Sequence, residues 1–457
     1  DVVIYSARKE DSIKKILSNI PEVKYFVKMY SEEGIDGKNV GMQYLIEEGK
    51  NLVANGDDAY SKIRVIPDEF KVLLFTSGTT SSAKGVMLSS RNLAENINAV
   101  SAYVKLYPED RFFSVLPLHH TYESSIGFLI PMAWGASIAV CQGLKHIVPN
   151  LQETKPTAML AVPLLVENLY KKINATIKKS KKDGLVNSMI HVTNALKAVG
   201  VDIKRKVFAE IHENLGGRIR IIVSAAAPID AKVGKWIEDI GIVFLQGYGL
   251  TETAPISALT PEFEPKVGSA GKAIFKAELK IDSPNENGEG EVLIKTPTLM
   301  LGYYEETNEA IEIVDGERWF HSGDIGYLDK DGFLYITGRC KNVIVTQNGK
   351  NIYPEEIELL LSKVPEIKEC MVYGKQDEKD PSNKELIISV KVIPNLDKIG
   401  ENLTDEEIRE IIWPKIKEVN KKLTSYKAIK NLEIKHDEFE KTTTMKIKRY
   451  AEIKKSK

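Results

Sequence analysis

Short apolar strands alternating with helical stretches constrain this chain more than any other feature. Residues 113–116, 137–140, 158–162, 219–223 and 243–245 read as such strands, with helix-patterned segments between them. That alternation argues for α/β layers. After Pro261 the texture changes to strand-and-turn segments at 277–281, 290–296, 319–328 and 333–336, with hairpin chemistry at Asp329-Lys330-Asp331-Gly332. Beyond Gly338-Arg339 the chain turns Lys- and Glu-rich, and two helices (354–361 and 404–423) lie between strands. We read this part as a small α+β domain. With a boundary at residues 339–342 the expected domains are 1–339 and 340–457, since 457 residues exceed one compact core.

The first 70 residues read as strand, helix (9–19), strand (25–29) and polar helix (41–55). No signal peptide is visible, and the Asp1 start suggests a piece of a longer gene product. The 63 basic and 64 acidic residues give a net charge of -1, which lends no support to nucleic-acid binding. Cys141, Cys340 and Cys370 are scattered and lack CxxC spacing, so no disulfide framework or zinc site is implied and a reducing, cytoplasmic setting is expected. The uncharged run 124–144 is broken by Gly127, Pro131 and Gly135, and reads as a buried helix–turn–strand unit rather than a membrane span. Six lysines within 171–182 read as a solvated helix face, with weak peripheral contact to an anionic membrane as the alternative. Oligomeric state is not legible.

The chemistry begins where the apolar strand 72–75 runs into Thr76-Ser77-Gly78-Thr79-Thr80-Ser81-Ser82-Ala83-Lys84-Gly85, before a helix capped by Ser89 or Ser90. A Gly/Ser/Thr loop ahead of a helix offers backbone N–H groups, hydroxyls and an ammonium to a polyphosphate. It is not a Walker A loop: Ala83 stands where the second Gly belongs, and Gly85 where the Mg-binding hydroxyl belongs. A P-loop NTPase is therefore disfavoured.

Further along come Ser224-Ala225-Ala226-Ala227-Pro228, then Gln246-Gly247-Tyr248-Gly249-Leu250-Thr251-Glu252, whose glycines let a ligand approach the backbone and whose carboxylate suits Mg²⁺. His321-Ser322-Gly323-Asp324 precedes a hairpin to Gly338-Arg339-Cys340-Lys341. The C-terminal part carries Gln347-Asn348-Gly349-Lys350 and Lys441-Thr442-Thr443-Thr444-Met445-Lys446-Ile447-Lys448. Adjacent His119 and His120 are expected to point apart, against a shared metal. Asp329 and Asp331 fit a turn better than a Ca²⁺ loop.

Taken in order, these motifs resemble those of the adenylate-forming superfamily: acyl-CoA synthetases, peptide-synthetase adenylation domains and luciferases. The likeness runs from Phe75 to Lys448, with Ser81, Ala83 and Met445 where the family usually has Gly, Pro and Gly. It implies a large layered αβαβα domain, with a distorted barrel and sheets, and a small α+β domain on a hinge at Lys341. The implied substrates and cofactors are ATP, Mg²⁺, coenzyme A and a carboxylic acid, with His119-His120-Thr121-Tyr122-Glu123 similar to the acyl-pocket motif of long-chain fatty acid–CoA ligases.

By resemblance, Thr76, Ser77, Gly78, Thr79, Thr80 and Lys84 hold phosphates. Tyr248 stacks on adenine among Ala226, Gln246, Gly247 and Gly249, and Asp324 and Arg339 grip ribose and phosphate. Thr251 touches the α-phosphate, Glu252 holds Mg²⁺, His120 closes the acyl pocket, and Gly349 makes room for pantetheine. Lys446 is the catalytic tail lysine. Three functions stay open: acid–CoA ligation, acyl transfer to a carrier protein, and nucleotide or CoA binding without turnover.

Overall fold

Alternation within single strands decides how the largest sheet is covered. In the computed structural model, which describes residues 1–76, 84–345, 350–376, 386–442 and 446–454, neighbouring strand residues enter different cores. Phe113, Met159, Ala161, Ile222 and Phe244 join one buried cluster, while Phe112, Ala158, Leu160, Ile221, Val223 and Leu245 join another. A period of two with both faces apolar requires helices on both sides of the sheet.

The chain divides into two compact units, Asp1–Ile66 and Pro67–Lys457. The first contains a parallel sheet of β1 (Val2–Tyr5), β2 (Tyr25–Lys28) and β3 (Asn39–Gly41), followed by the helix Met42–Ala54.

The second unit opens with the antiparallel pair β4 (Phe70–Thr76) and β5 (Lys84–Ser89). Ser89 caps the helix Ser90–Ser101 through a reciprocal box with Asn92, as a serine before a periodic run signals. Next come β6 (Arg111–Ser114), β7 (Ser137–Val140), β8 (Ala158–Ala161), β9 (Ile221–Ser224), β10 (Val243–Gly249), β11 (Ile256–Leu259) and β12 (Lys272–Ala273). They form one sheet in the order β12-β11-β10-β9-β8-β6-β7. It is parallel from β7 to β10 and antiparallel beyond.

Two strand limits differ from the sequence reading. β6 stops at Ser114 rather than 116, because the chain leaves the sheet ahead of Pro117 to reach His119 and His120. β10 runs through Gly249 rather than ending at 245, because Gly247, Tyr248 and Gly249 pair with β11. The run 124–144 forms a π-helix (Tyr122–Leu129), a helical turn (Ile130–Ala133) and β7. No helix among the described residues is long and apolar enough to cross a membrane.

The strand-rich part contains β13 (Glu278–Asp282), β14 (Gly290–Lys295), β15 (Gly302–Tyr303), β16 (Ile311–Val314), β17 (Glu317–Leu328) and β18 (Leu334–Arg339). β15 returns to pair with β5, and the others form one antiparallel sheet. The β17–β18 turn is built by Asp329, whose Oδ1 accepts from the N–H groups of Asp331 and Phe333, each at 3.0 Å. Lys266 Nζ pairs with Asp329 and Asp331 at 2.6 and 3.0 Å, so these carboxylates already have a cationic partner.

Residues from 340 onward build their own core. β19 (Ile344–Val345), β20 (Asn351–Ile352) and the helix Pro354–Leu361 precede the sheet of β21 (Ile367–Gln376), β22 (Leu386–Pro394) and β23 (Ile429–Ile434). Ile357, Leu361, Val390, Ile412 and Ile416 are fully buried there.

Phe113 is 1% exposed on β6, between β8 and β7 of the large sheet. Phe113→Ala is expected to lower stability by about 3–5 kcal/mol, the cost of a lost ring plus its cavity. A thermal melt should show this as a clearly lower transition for the large domain, whereas an unchanged melt would contradict the layer assignment.

Candidate active site

Register creates the first cluster. Pairing of β17 with β18 sets Asp324 opposite Arg339, and Arg339 Nε meets Asp324 Oδ1 at 2.8 Å. From the C-terminal end of β10, the Tyr248 hydroxyl donates to Asp324 Oδ2 at 2.9 Å. The Asp324 side chain is 4% exposed, so burial raises its pKa, against the pull of Arg339, the Tyr248 hydrogen bond and Lys446. Glu291 shapes the preceding turn: Oε1 accepts from the Gly323 N–H at 2.9 Å and Oε2 meets His321 Nδ1 at 3.0 Å. His321, raised first by its hydrogen bond to Glu291, is a prop for that turn.

Lys446 joins this cluster from the far end of the chain. The residue is exposed at the surface, yet protein around its amine desolvates it. Desolvation there, and then Arg339, pull its amine down to about 8, with Asp324 opposing. His120 feels the same lysine: burial lowers its pKa first, then His119 and Lys446. Residues 120, 248, 324, 339 and 446 are therefore electrostatic neighbours. The rings of His119 and His120 lie 4.3 Å apart, so the expectation that adjacent histidines diverge fails; the turn after β6 curls both to one side. No group of three or more metal-ligating side chains is found among the described residues.

A second cluster surrounds the start of β5. Lys84 Nζ lies 4.6 Å over the Tyr303 ring and 3.0 Å from Glu306 Oε2. The Tyr303 hydroxyl donates to Glu252 Oε1 at 2.8 Å. Tyr303 thus bridges Lys84, expected to hold phosphate, and Glu252, expected to hold Mg²⁺, and burial together with Glu252 raises its pKa. The sequence reading missed Tyr303 and Glu306; the triplet Gly302-Tyr303-Tyr304 closing an apolar run was the available signal. Thr76 Oγ1 donates to the Lys84 carbonyl at 3.4 Å, across the mouth of the loop.

Gln246 is partly committed to structure, its Oε1 accepting from the Gly268 N–H at 2.8 Å. Gly249 is required sterically: a Cβ there would lie 1.8 Å from the Pro255 carbonyl oxygen. Gly247 has ordinary space, with the nearest atom to a Cβ at 3.4 Å. Ala226 takes the left-handed conformation, with φ of 78°, in the turn after β9, beside the buried, unpartnered Ser224 hydroxyl. Thr251 and Glu252 sit half-buried on the short 3₁₀ turn Thr251–Thr253, and Lys341 on the exposed turn Cys340–Asn342. Ser77, Gly78, Thr79, Thr80 and Gly349 lie outside the described residues.

Comparison with known proteins gives this geometry a family. Residues 2–304 match the AMP-binding enzyme model, and residues 341–456 match the AMP-binding enzyme C-terminal domain model. The chain belongs to the AMP-binding enzymes. It is 30% identical over 365 residues to the peroxisomal long chain acyl-CoA synthetase 6 of Arabidopsis thaliana, covering 76% of this chain and 51% of that protein. It therefore spans about half the length of this relative. An anthranilate CoA ligase solved with anthranoyl-AMP superposes with a TM-score of 0.73 at 20% identity, covering 100% of this chain and 78% of the other. The o-succinylbenzoate CoA synthetase of Bacillus subtilis, solved with ATP and magnesium ion, gives 0.67 at 21%, covering 97% and 81%. The fold is thus that of AMP-binding enzymes, layered α/β with a smaller C-terminal part.

Proposed function

We propose that this AMP-binding enzyme activates a carboxylic acid, of the medium- to long-chain fatty class, as an acyl-adenylate and transfers the acyl group to the thiol of coenzyme A. The observation that carries the reading is the bonding of Asp324 to both Arg339 and Tyr248, with Lys446 in electrostatic reach of Asp324, Arg339 and His120. Such a set can hold a nucleotide by its ring, its sugar and its α-phosphate at once.

In the first half-reaction a carboxylate oxygen attacks the α-phosphorus of ATP. The new C–O–P bond replaces the bond to pyrophosphate, which departs. The attack joins two anions, so fixed positive charge at the α-phosphate is the main requirement. Lys446, desolvated beside Arg339, supplies it, and Thr251 adds a hydroxyl. Tyr248 and the Asp324–Arg339 pair orient the nucleoside. The neutral imidazole favoured at His120 sits where the acid's carboxylate would enter without trapping it as a static ion pair. Glu252, on the turn beside Lys84 and Tyr303, suits Mg²⁺, which keeps most of its waters and binds through one or two carboxylates plus phosphates; when bound, that ion neutralises phosphate charge.

In the second half-reaction the CoA thiolate attacks the acyl carbonyl, and AMP leaves with the electron pair of the broken C–O bond. We assign the 339/340 boundary, with Lys341 at the hinge, as the swivel that withdraws Lys446 and brings Gly349 to the thiol path.

The acyl tail has an obvious direction. Just beyond His120, Tyr122, Ile126 and Ile130 face Phe112, Leu160 and Val223 across a wholly apolar cavity of ≈ 30 Å³. A long acyl chain would enter there by parting the π-helix from the sheet. Weak contact of the Lys171–Lys182 face with an anionic membrane would suit delivery of such acids.

The reading is tested by incubating the protein with ATP, Mg²⁺, CoA and a panel of carboxylic acids, then identifying thioesters by mass spectrometry. Fatty acyl-CoA products support it. Pyrophosphate exchange without CoA product would favour a carrier-protein acceptor, and no exchange with any acid would favour binding without turnover.

The lysine also predicts a pH profile. Its amine loses the proton near 8, so kcat/KM for ATP in pyrophosphate exchange should fall about tenfold per pH unit above that point. In Lys446→Arg any remaining activity should lose this falling limb, because a guanidinium stays protonated. A wild-type profile flat to pH ~10 would contradict the role of Lys446.

A further inference from the structure

Three residues beyond Lys446 the chain is anchored by an arginine that the scheme above leaves unused. Arg449 Nη2 meets Glu358 Oε2 at 2.5 Å, and Nη1 donates to the Val372 carbonyl at 2.8 Å. The two side chains are only 18% and 19% exposed. The other Glu358 oxygen accepts from the Val372 N–H at 2.6 Å, closing a ring between the helix Pro354–Leu361, β21 and the tail. Glu355, one turn earlier on that helix, lies 3.6 Å from Arg449 and accepts from Asn342 Nδ2 at 2.5 Å. Asn342 belongs to the turn directly after Arg339, and Asp324 itself feels the Glu355 charge. One guanidinium therefore joins the tail, the helix and, through Glu355, the turn at the hinge.

The segment between is held partly by its own hydrogen bonds and partly by Ile447, which packs on the buried cluster of Met371, Tyr373, Ile393 and Phe439. Lys446 is tied to Thr442 by the Thr442 N–H donating to the Lys446 carbonyl (2.8 Å) and the Lys446 N–H donating to Thr442 Oγ1 (3.2 Å), beside a Lys441–Ile447 bridge. The Lys448–Glu440 ion pair beside it is about half exposed on both sides and contributes little. Lys441–Glu369 at 2.6 Å holds the outgoing limb; on the returning one Arg449 adds a directed charged anchor to the packing of Ile447 and the donation of the Lys448 N–H to the Glu440 carbonyl at 2.8 Å. Stability alone does not call for a charged pair here, because the apolar core around Ile357, Ile412 and Val390 already binds helix to sheet. What a planar, forked cation gives is a fixed direction.

We propose that Arg449 is a positioning residue for adenylation: its paired contacts to Glu358 and Val372 set where Lys446 enters the nucleotide cleft. This rests on the reading of Lys446 given above. The test compares wild type, Lys446→Ala, Arg449→Met and Arg449→Lys in three measurements. These are ATP–pyrophosphate exchange with a fatty acid, thioester formation from supplied acyl-AMP and CoA, and amide hydrogen exchange across residues 440–448.

Arg449→Met should lower pyrophosphate exchange about 30-fold or more, keep thioester formation within about threefold, and speed amide exchange in 440–448 but not in the helix Asp405–Asn420. Arg449→Lys should recover part of the loss, since an ammonium cannot reproduce the fork. Equal loss of both half-reactions would show a merely structural arginine and overturn the proposal. So would wild-type adenylation or unchanged amide exchange in Arg449→Met while Lys446→Ala is inactive. Full adenylation by Lys446→Ala would overturn the reading of Lys446 and this proposal together.

Discussion

Lys446→Ala is expected to lower ATP–pyrophosphate exchange by about 10²- to 10³-fold while leaving thioester formation from supplied acyl-AMP largely intact. The size follows from the amine's surroundings. Desolvation and Arg339 make its charge costly, enough to bring the pKa down to about 8. An anionic α-phosphate reverses that balance, and the interaction strengthens as negative charge builds up in the transition state. Truncation should thus reduce kcat for adenylation more than it raises KM for ATP, the pattern of an interaction made mainly in the transition state. The second half-reaction starts from an adenylate already formed and should be spared. Equal loss in both would mean that Lys446 acts in every step or merely supports the domain, and would end the division of labour proposed here.

Much of this site is legible without coordinates because its parts sit at strand ends, where local sequence carries the signal. Tyr248, Asp324 and Arg339 belong to short motifs with Gly on at least one side; strand pairing sets Asp324 beside Arg339, and packing between two sheets brings the Tyr248 hydroxyl to Asp324. The layered fold is legible for a similar reason: β6 to β10 are apolar on both faces, a pattern that demands helices above and below.

What is not legible is partnership across the chain. Tyr303 reaches Glu252, fifty-one residues away in sequence, with β15 paired to β5; the triplet Gly302-Tyr303-Tyr304 marks the spot but does not name that partner. Arg449 is similar, a basic residue in a Lys-rich tail whose partners lie ninety-one and seventy-seven positions earlier. The side-by-side histidines show a different limit. Strand and helix periodicities govern regular backbone, and His119 and His120 occupy a turn where neither applies.

Asp324→Asn should weaken ATP binding by about 10- to 100-fold, the range of a charged hydrogen-bonding partner exchanged for a neutral one. The substitution keeps the shape and leaves an acceptor for Tyr248, so the loss isolates charge. Two effects add. Arg339, at 2.8 Å, loses its counter-ion and with it a fixed direction, and a sugar diol loses an acceptor able to take both hydroxyls at full strength. Burial raises the pKa of this carboxyl, and Arg339, the Tyr248 hydrogen bond and Lys446 oppose that rise.

Tyr248→Phe provides the contrast. It removes only the 2.9 Å donation to Asp324 and keeps the ring for stacking, so a change of about fivefold is expected. Calorimetric titration with AMP measures both without turnover, and a thermal melt reads stability separately. If Asp324→Asn lowered the melting temperature but bound AMP as wild type does, the pair with Arg339 would be a strut between β17 and β18. The nucleotide would then have to lie elsewhere than over Tyr248.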